Sequence, residues 1–366
     1  MDQTIEQTEI IKNPIESIDA DSTSAKTELK NIVFYRQALM KNLSPDLLKP
    51  APHRIGWYVL FATGTIVSFL AIINMNLPWP AKLLLAIIIG LCNGGMGFVT
   101  HEISHGAIIK NKTAQSILCY FGSLPFFVSP TFWRYWHNQL HHGKTQQLIR
   151  DPDAFPNLKI YKASKFIRFM FPFTPGSGHK RSFAYFFFWF SFHNFVAQTY
   201  LRFRNSVFDQ LDHKKVTLEF SGQVLIGAAL LYYAGLQNFI WVFLIPLFIQ
   251  NYTLMSYIST NHNLNPLTSE NDPLVNSLTV TNHPFFEFFH LNFGYHVEHH
   301  IFPTMSSHHA KAVHQELIKQ FPENFHVMTK WRAMKNLYKT PRIYKNANEL
   351  VHPKTLETTK IKSIFN

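Results

Sequence analysis

Two cysteines among 366 residues leave no material for a disulfide framework or for a thiolate metal cluster of ordinary size. One of them, Cys92, falls in an apolar stretch. Charge is also scarce: Asp, Glu, Lys and Arg make up 15% of the chain, against roughly 25% in a soluble domain. Carboxylates are the scarcest of these, 22 against 34 Lys and Arg, which sets the net charge at +12 and the pI near 9.5. A basic chain wants an anionic partner, and here the cations sit beside apolar segments rather than in solvated runs. That favours lipid and argues against nucleic acid. The first 30 residues hold no long apolar core, so no signal peptide is read there and the first apolar span is expected to serve for targeting.

What is abundant points to a bilayer. Hydrophobic residues reach 46%, with 35 Phe and 7 Trp, yet the mean hydropathy of −0.04 requires a large polar part as well. No charged residue occurs from Gly56 to Ala81 or from Leu83 to Thr100. About 20 apolar residues cross a bilayer as a helix, so each stretch suffices for one crossing. Asn76-Leu77-Pro78-Trp79-Pro80 between them reads as a turn, because Pro breaks a helix and Trp favours the interface. A second charge-free run extends from Phe220 past His262, with Ala234 to Asn238 as its turn. The pattern predicts spans over 56–77, 82–100, 216–234 and 238–258, the third being short unless it starts near Val216. Lys41, Lys49 and Arg54 precede the first span while the hairpin turns carry little positive charge, which places both termini and the long middle section in the cytoplasm. Segments 161–174 and 182–203 mix basic and aromatic residues and read as interfacial helices. The fold expected is an all-α integral-membrane protein of two helical hairpins with interfacial helices and a cytoplasmic helical cap. Residues 1–45 are expected to form a disordered polar tail, 46–310 the catalytic domain and 311–366 a cytosolic C-terminal segment.

Twenty histidines are the anomaly, and three groups of them recur at helical spacing. His101-Glu102-Ile103-Ser104-His105 places two rings four apart. His137-Asn138-Gln139-Leu140-His141-His142 repeats that spacing with one ring added. His296-Val297-Glu298-His299-His300 combines spacings of three and four. Rings at these spacings project from one helix face. Composition alone gives one HxxxH about once in such a chain, but the two three-histidine patterns together are expected in well under about 1% of such chains. Eight imidazoles exceed what one ion takes from protein and suit two ions with open positions; imidazole accepts Zn, Cu, Fe or Ni, so spacing does not name the metal. His262 stands at the end of the fourth span as His101 does at the end of the second. It reads either as a ninth ligand or as a helix C-terminal histidine favoured by the dipole. Glu102, Asp151, Asp153 and Glu298 are candidates to accept the second ring N–H of a ligating imidazole. His193, His290, His308 and His309 read as interfacial or surface residues.

Boxes of the form HxxxH, HxxxHH and HxxHH around two apolar hairpins resemble the membrane fatty-acid desaturase family, over roughly Arg54 to Ser307. Asp151-Pro152-Asp153 after the second box and Gly294-Tyr295-His296 to Pro303 extend the likeness toward acyl-lipid desaturases. The resemblance implies two irons, dioxygen as oxidant, a cytoplasmic di-iron centre above four spans, a kinked acyl tunnel, and His262 as a ninth ligand. Some relatives carry an Asn one helical turn before that histidine; Ile258 stands there in this chain, with Asn261 or Asn292 as possible substitutes. The substrate implied is a fatty-acyl chain on a lipid or a thioester, in a membrane that is either the bacterial inner membrane or the endoplasmic reticulum. With no His-Pro-Gly-Gly signature of a fused b-type cytochrome, electrons are expected from a separate ferredoxin or cytochrome. Cys92-Asn93-Gly94-Gly95-Met96-Gly97 offers either close approach of the acyl chain or close helix packing.

Three other readings compete. A hydroxylase or ketolase would share the boxes. An intramembrane zinc protease would use His101 to His105 as HExxH with Glu102 as base, but leaves the other clusters unexplained. A metal transporter would want ionisable residues inside the spans, which are nearly free of them.

Overall fold

The computed structural model describes residues 29–365, so most of the polar N-terminal tail lies outside the described residues. Among the described residues, four helices are long and apolar enough to cross a membrane: Pro52–Asn74, Trp79–Ser104, His213–Ala234 and Ile240–His262. We number the principal α-helices α1 (Ile32–Leu39), α2 (Ile55–Asn74), α3 (Trp79–Ser104), α4 (Lys112–Gly122), α5 (Leu158–Ala163), α6 (Lys165–Met170), α7 (Tyr185–Thr199), α8 (His213–Ala234), α9 (Ile245–His262), α10 (His296–Ile301), α11 (Ala310–Gln320) and α12 (Lys330–Lys339).

Both hairpins form where the turn chemistry asks for them. Pro80 enters the first turn of α3, a position where its missing N–H costs nothing. Gly235 ends α8 at φ +77°, a conformation glycine adopts without strain. The third span is longer than the apolar run suggested, because Asp212 caps α8 by accepting a hydrogen bond from the Lys215 N–H and starts the helix at His213. The fourth span opens with a π-helical turn, Ile240–Leu244, just before Pro246. Proline cannot donate into an α-helical ladder, and a local change of register accommodates it.

The four spans are unequal in their surroundings. In the most apolar windows of α3 and the fourth span, 56% and 50% of residues are buried inside the protein, against 17% and 11% for the first and third. α3 and α9 therefore form the centre, while α2 and α8 turn residues such as Val59, Ile66, Val67, Leu218 and Leu225 outward to where lipid would lie. Small residues set the central contact. A Cβ on Gly90 would stand 2.6 Å from Ile249, and one on Gly94 would stand 2.8 Å from Thr253. The glycine-rich run thus serves chiefly helix packing; Gly97 alone of Gly94, Gly95 and Gly97 also lines the cavity described below.

Above one end of the hairpins, the remaining chain builds a cap that is mostly helical, with five three-residue strands added to the expected all-helical plan. Thr279–Thr281 pairs in parallel with Val327–Thr329, and Tyr344–Asn346, Glu349–Val351 and Thr358–Lys360 form an antiparallel sheet. The described part of the N-terminal tail contributes α1, whose Tyr35 and Leu39 pack with Val297, Ile301 and Leu317. The C-terminal segment shares the main core through Met328, Leu337, Tyr344 and Leu350. Tyr344 also donates a hydrogen bond of 2.6 Å to the Asn265 carbonyl just past α9. α7 has 15 residues, about 22 Å of helix, and α5 and α6 are shorter still. None of the three spans a bilayer.

The close approach of α3 and α9 gives a direct test. Gly94→Leu is expected to destabilise the protein by about 1–3 kcal/mol through overpacking, read as a lower melting temperature in detergent. Gly56→Leu, where an added Cβ meets nothing within 4 Å, is expected to leave the melting temperature unchanged.

Candidate metal centre

The cap brings together histidines from four separate segments. His101, His105, His137, His142 and His299 each place one ring nitrogen within 4.8 Å of the others, and His141, His262, His296 and His300 do the same beside them. Within the first set the Nε2 atoms of His101 and His137 are 2.8 Å apart, and those of His137 and His142 are 3.1 Å apart. Within the second, His262 Nε2 stands 2.7 Å from His296 and 3.2 Å from His141.

Local structure explains how each ring arrives. His101 ends α3 in its last turn and His105 is its C-cap, so the i, i+4 spacing presents both rings on one face. His262 is the last residue of α9. In α10 the same spacing unites His296 and His300 in the second set, while His299 turns to the first. The second box departs from the α-helical expectation. Arg134–His141 is a π-helix, and the His142 N–H bonds the His137 carbonyl five residues back. The wider turn brings the His142 Nε2 beside that of His137, while His141, its ring still stacked on His137, turns its Nε2 to the second set. One box therefore serves both sets.

The outer ring nitrogens are held in several places. The His141 Nδ1–H donates to Asp151 Oδ1 at 3.1 Å, with Asp153 at 3.4 Å from the same nitrogen. Asp151 is itself fixed by the Gln146 N–H at 2.8 Å. His300 Nδ1 lies 3.4 Å from the Thr145 hydroxyl, and His262 Nδ1 lies 3.5 Å from the Asn276 carbonyl. A proton at Nδ1 leaves the Nε2 lone pair free for a metal. Thr145, Gln146 and Asn276 carry no sequence signal for this role; only folding places them here.

Three other sequence candidates hold different partners. Glu102 is buried and accepts from Arg54 at 2.6 and 3.1 Å, from Ser306 at 2.8 Å and from Ser307 at 2.6 Å. It ties the start of the first span to the segment after α10 and does not face an imidazole. Glu298 accepts from Thr279 and from His314 Nδ1, each at 2.6 Å, so its histidine lies outside the three boxes. Asn292, at φ +56°, donates to the Ser307 carbonyl at 3.3 Å. His193, expected at a surface, stacks on Trp189 and lines an internal cavity. His290 accepts from the Tyr257 hydroxyl at 2.9 Å. The His308 and His309 rings touch at a tilt, with His53 edge-on to His308.

The electrostatics favour neutral rings. Burial, reinforced by neighbouring imidazoles, pushes His105 and His296 down to about 3 and holds His137, His142, His299 and His300 well below the ordinary imidazole value. Burial also opposes charge on His141, yet Asp151 and Asp153 beside it raise its value overall. Neutral lone pairs aimed at one another at about 3 Å repel unless a cation sits among them. The His105 Nε2 is moreover buried with no partner among the described residues. The donor set fits two borderline cations.

Against the histidines lies an apolar cavity. His101, His137, His141, His262 and His296 form one part of its wall, and Cys119, Gly122, Phe126 and Val128 line it elsewhere. It admits a chain of methylenes and offers little to a polar substrate.

Comparison with known proteins agrees with this arrangement. The pattern of the fatty acid desaturase family matches residues 77–332, more than half of the chain. The chain is 21% identical to the chloroplastic omega-6 fatty acid desaturase of Brassica napus over 90% of its own length and 78% of that protein's. It is 23% identical to the corresponding protein of Spinacia oleracea, covering 68% of itself and 56% of the relative. A dihydrorhizobitoxine desaturase of Bradyrhizobium elkanii is 25% identical over 40% of each chain.

The buried Arg54–Glu102 pair can be tested directly. Glu102→Ala strands a buried guanidinium and is expected to cost about 3–5 kcal/mol, seen as a large drop in melting temperature. Arg54→Met with Glu102→Leu removes both charges and is expected to recover most of that loss.

Proposed function

The chain belongs to the fatty acid desaturase family, and on that premise we propose that it introduces a double bond into a fatty-acyl chain at a pair of irons held by its histidines. The observation that carries the reading is the convergence of five and four imidazole nitrogens at the wall of an apolar cavity. We assign His101, His105, His137, His142 and His299 to one iron and His141, His262, His296 and His300 to the other. Asp151 and Asp153 hold His141 from behind. When bound, two irons supply with dioxygen the oxidising power needed to remove two hydrogens from adjacent methylenes, bonds too inert for side-chain acids and bases.

The protein's part is placement. Apolar walls around Phe126, Phe190, Leu254 and Phe293 hold the acyl chain straight against the histidines and keep bulk water out. The Asp151 carboxylate keeps the His141 proton at Nδ1 and so keeps Nε2 turned inward. Residues 46–310 form the catalytic domain, and 311–366 brace it from the cap. The cap and both ends of the chain face the cytoplasm by the distribution of Lys and Arg, where a separate acidic electron donor, ferredoxin or b-type cytochrome, reaches the basic surface. The HExxH protease reading loses its base, because Glu102 is bound by Arg54, Ser306 and Ser307.

Two measurements check the proposal. Lipid mass spectrometry of a host expressing the protein is expected to show acyl chains lighter by about two mass units, as loss of two hydrogens requires; a gain of about sixteen would mean hydroxylation, and a His299→Ala control should show neither. Elemental analysis of purified protein is expected to find about two irons per chain, falling to about one in His262→Ala because only one of the two sets loses a ligand.

A further inference from the structure

A second cavity meets the first. Trp133, Asp153, Phe190 and Ile258 belong to the walls of both. Its other walls come from α6 and α7 and the chain around them, including Phe166, Met170, Trp189, Phe192, Val196 and Leu201. These are the short helices that cannot cross a bilayer. Their outer faces are unusual in two respects. From Ala154 to Phe208 the chain contains no Asp or Glu but eight Lys and Arg. Lys162, Lys165 and Arg168 are all exposed, next to exposed Phe166 and Phe169. Among the described residues no carboxylate pairs with any of these three cations. Cations and aromatic rings presented side by side suit the headgroup layer of a membrane, where the stems bury and the charges meet phosphate.

The interior adds an independent observation. Asn194, 5% exposed, lines this cavity, and its Oδ1 has no hydrogen-bond partner among the described residues although its Nδ2 donates to the Phe190 carbonyl at 2.8 Å. A buried acceptor left open calls for a donor brought by a ligand. An apolar, aromatic cavity with a cationic outer wall and an unused acceptor within fits a lipid that combines acyl chain, negative phosphate and hydroxyl groups.

We propose that this cavity is the port for an acyl lipid with an anionic, hydroxyl-bearing phosphate headgroup, such as phosphatidylglycerol, held by Lys162, Lys165 and Arg168. The phosphate then stays at the outer wall of α6 with a headgroup hydroxyl turned into the cavity toward Asn194, and the acyl chain passes Trp133 and Phe190 to the histidines, ending toward Cys119 and Gly122. This names the lipid class for the desaturation site and so rests on the function proposed above.

The test reads occupancy without turnover. The full-length protein is reconstituted in phosphatidylcholine nanodiscs doped with equal amounts of either phosphatidylglycerol or phosphatidylcholine carrying brominated acyl chains. Quenching of Trp189 is taken as the part of the signal lost in Trp189→Phe. Phosphatidylglycerol is expected to quench at roughly five-fold lower mole fraction for each cation that engages it. That preference should vanish in Lys162→Gln/Lys165→Gln/Arg168→Gln, whose substitutions are all exposed. Val196→Phe, which narrows the cavity, should reduce quenching by both lipids. Equal quenching by the two headgroups in the unaltered protein overturns the proposal. So does quenching by phosphatidylglycerol that Val196→Phe leaves undiminished, since the patch would then merely gather anionic lipid at the surface. If the preference holds while no double bond forms in any host lipid, the port stands and the desaturase reading fails; double bonds without the preference mean the reverse.

Discussion

Nine imidazole rings in two converging sets set the terms for the rest of this molecule. Each ring is buried or nearly so, burial disfavours charge on the rings of the cap except at His141, where Asp151 and Asp153 outweigh it, and nitrogens within a set approach one another at about 3 Å. A protein interior does not favour such an arrangement for its own sake, because unsatisfied polar atoms in low dielectric are costly. The fold must therefore hold the rings in place through contacts elsewhere. α3 and α9 do this by packing through glycine at Gly90 and Gly94, which brings His101 and His262 to the same level. The cap does it with α10, pinned to the start of the first span through the segment that follows it, where Ser306 and Ser307 meet Glu102 and Arg54.

The π-helical turn at Arg134–His141 is the local device on which the division into two sets depends. An α-helical second box would present the His137 and His141 nitrogens together and send His142 elsewhere. The five-residue register groups the His142 Nε2 with that of His137 instead, although the His137 and His141 rings stay stacked. Asp151, one short loop later, then receives His141 on the far side. The loop that makes this return carries two residues at positive φ, Gln146 and Ile149. Strained backbone of this kind persists where the surrounding structure fixes it, and Gln146 is fixed by its bonds to Asp151 and to the His262 carbonyl.

The two cavities extend the same logic outward. One runs from the histidines between the spans, the other under the short amphipathic helices, and they share four wall residues beside the rings. The arrangement separates tasks: ordered imidazoles at the junction, apolar walls in one arm, and cations with aromatics on the outside of the other. A long, flexible ligand with one charged end matches that separation better than a compact one.

The sequence by itself determined the class of this protein. Charge-free runs of bilayer length, their Pro and Gly turns, and histidines repeated at helical spacing are local properties, and local properties survive in one dimension. Hence the four apolar helices, the family and the eight box histidines were legible before any coordinates, whereas His262, a single ring with no period, joined them only through the resemblance. Which ring joins which set was decided only in three dimensions, since a π-turn has no composition signature distinct from an α-turn. So were the partners of Glu102 and Glu298: a carboxylate beside a histidine in sequence points away from it along a helix, and it pairs with whatever the opposite face meets. The same holds for Thr145, Asn276 and Asn194, whose surroundings come from segments over a hundred residues away or from a cavity wall that no single segment encodes.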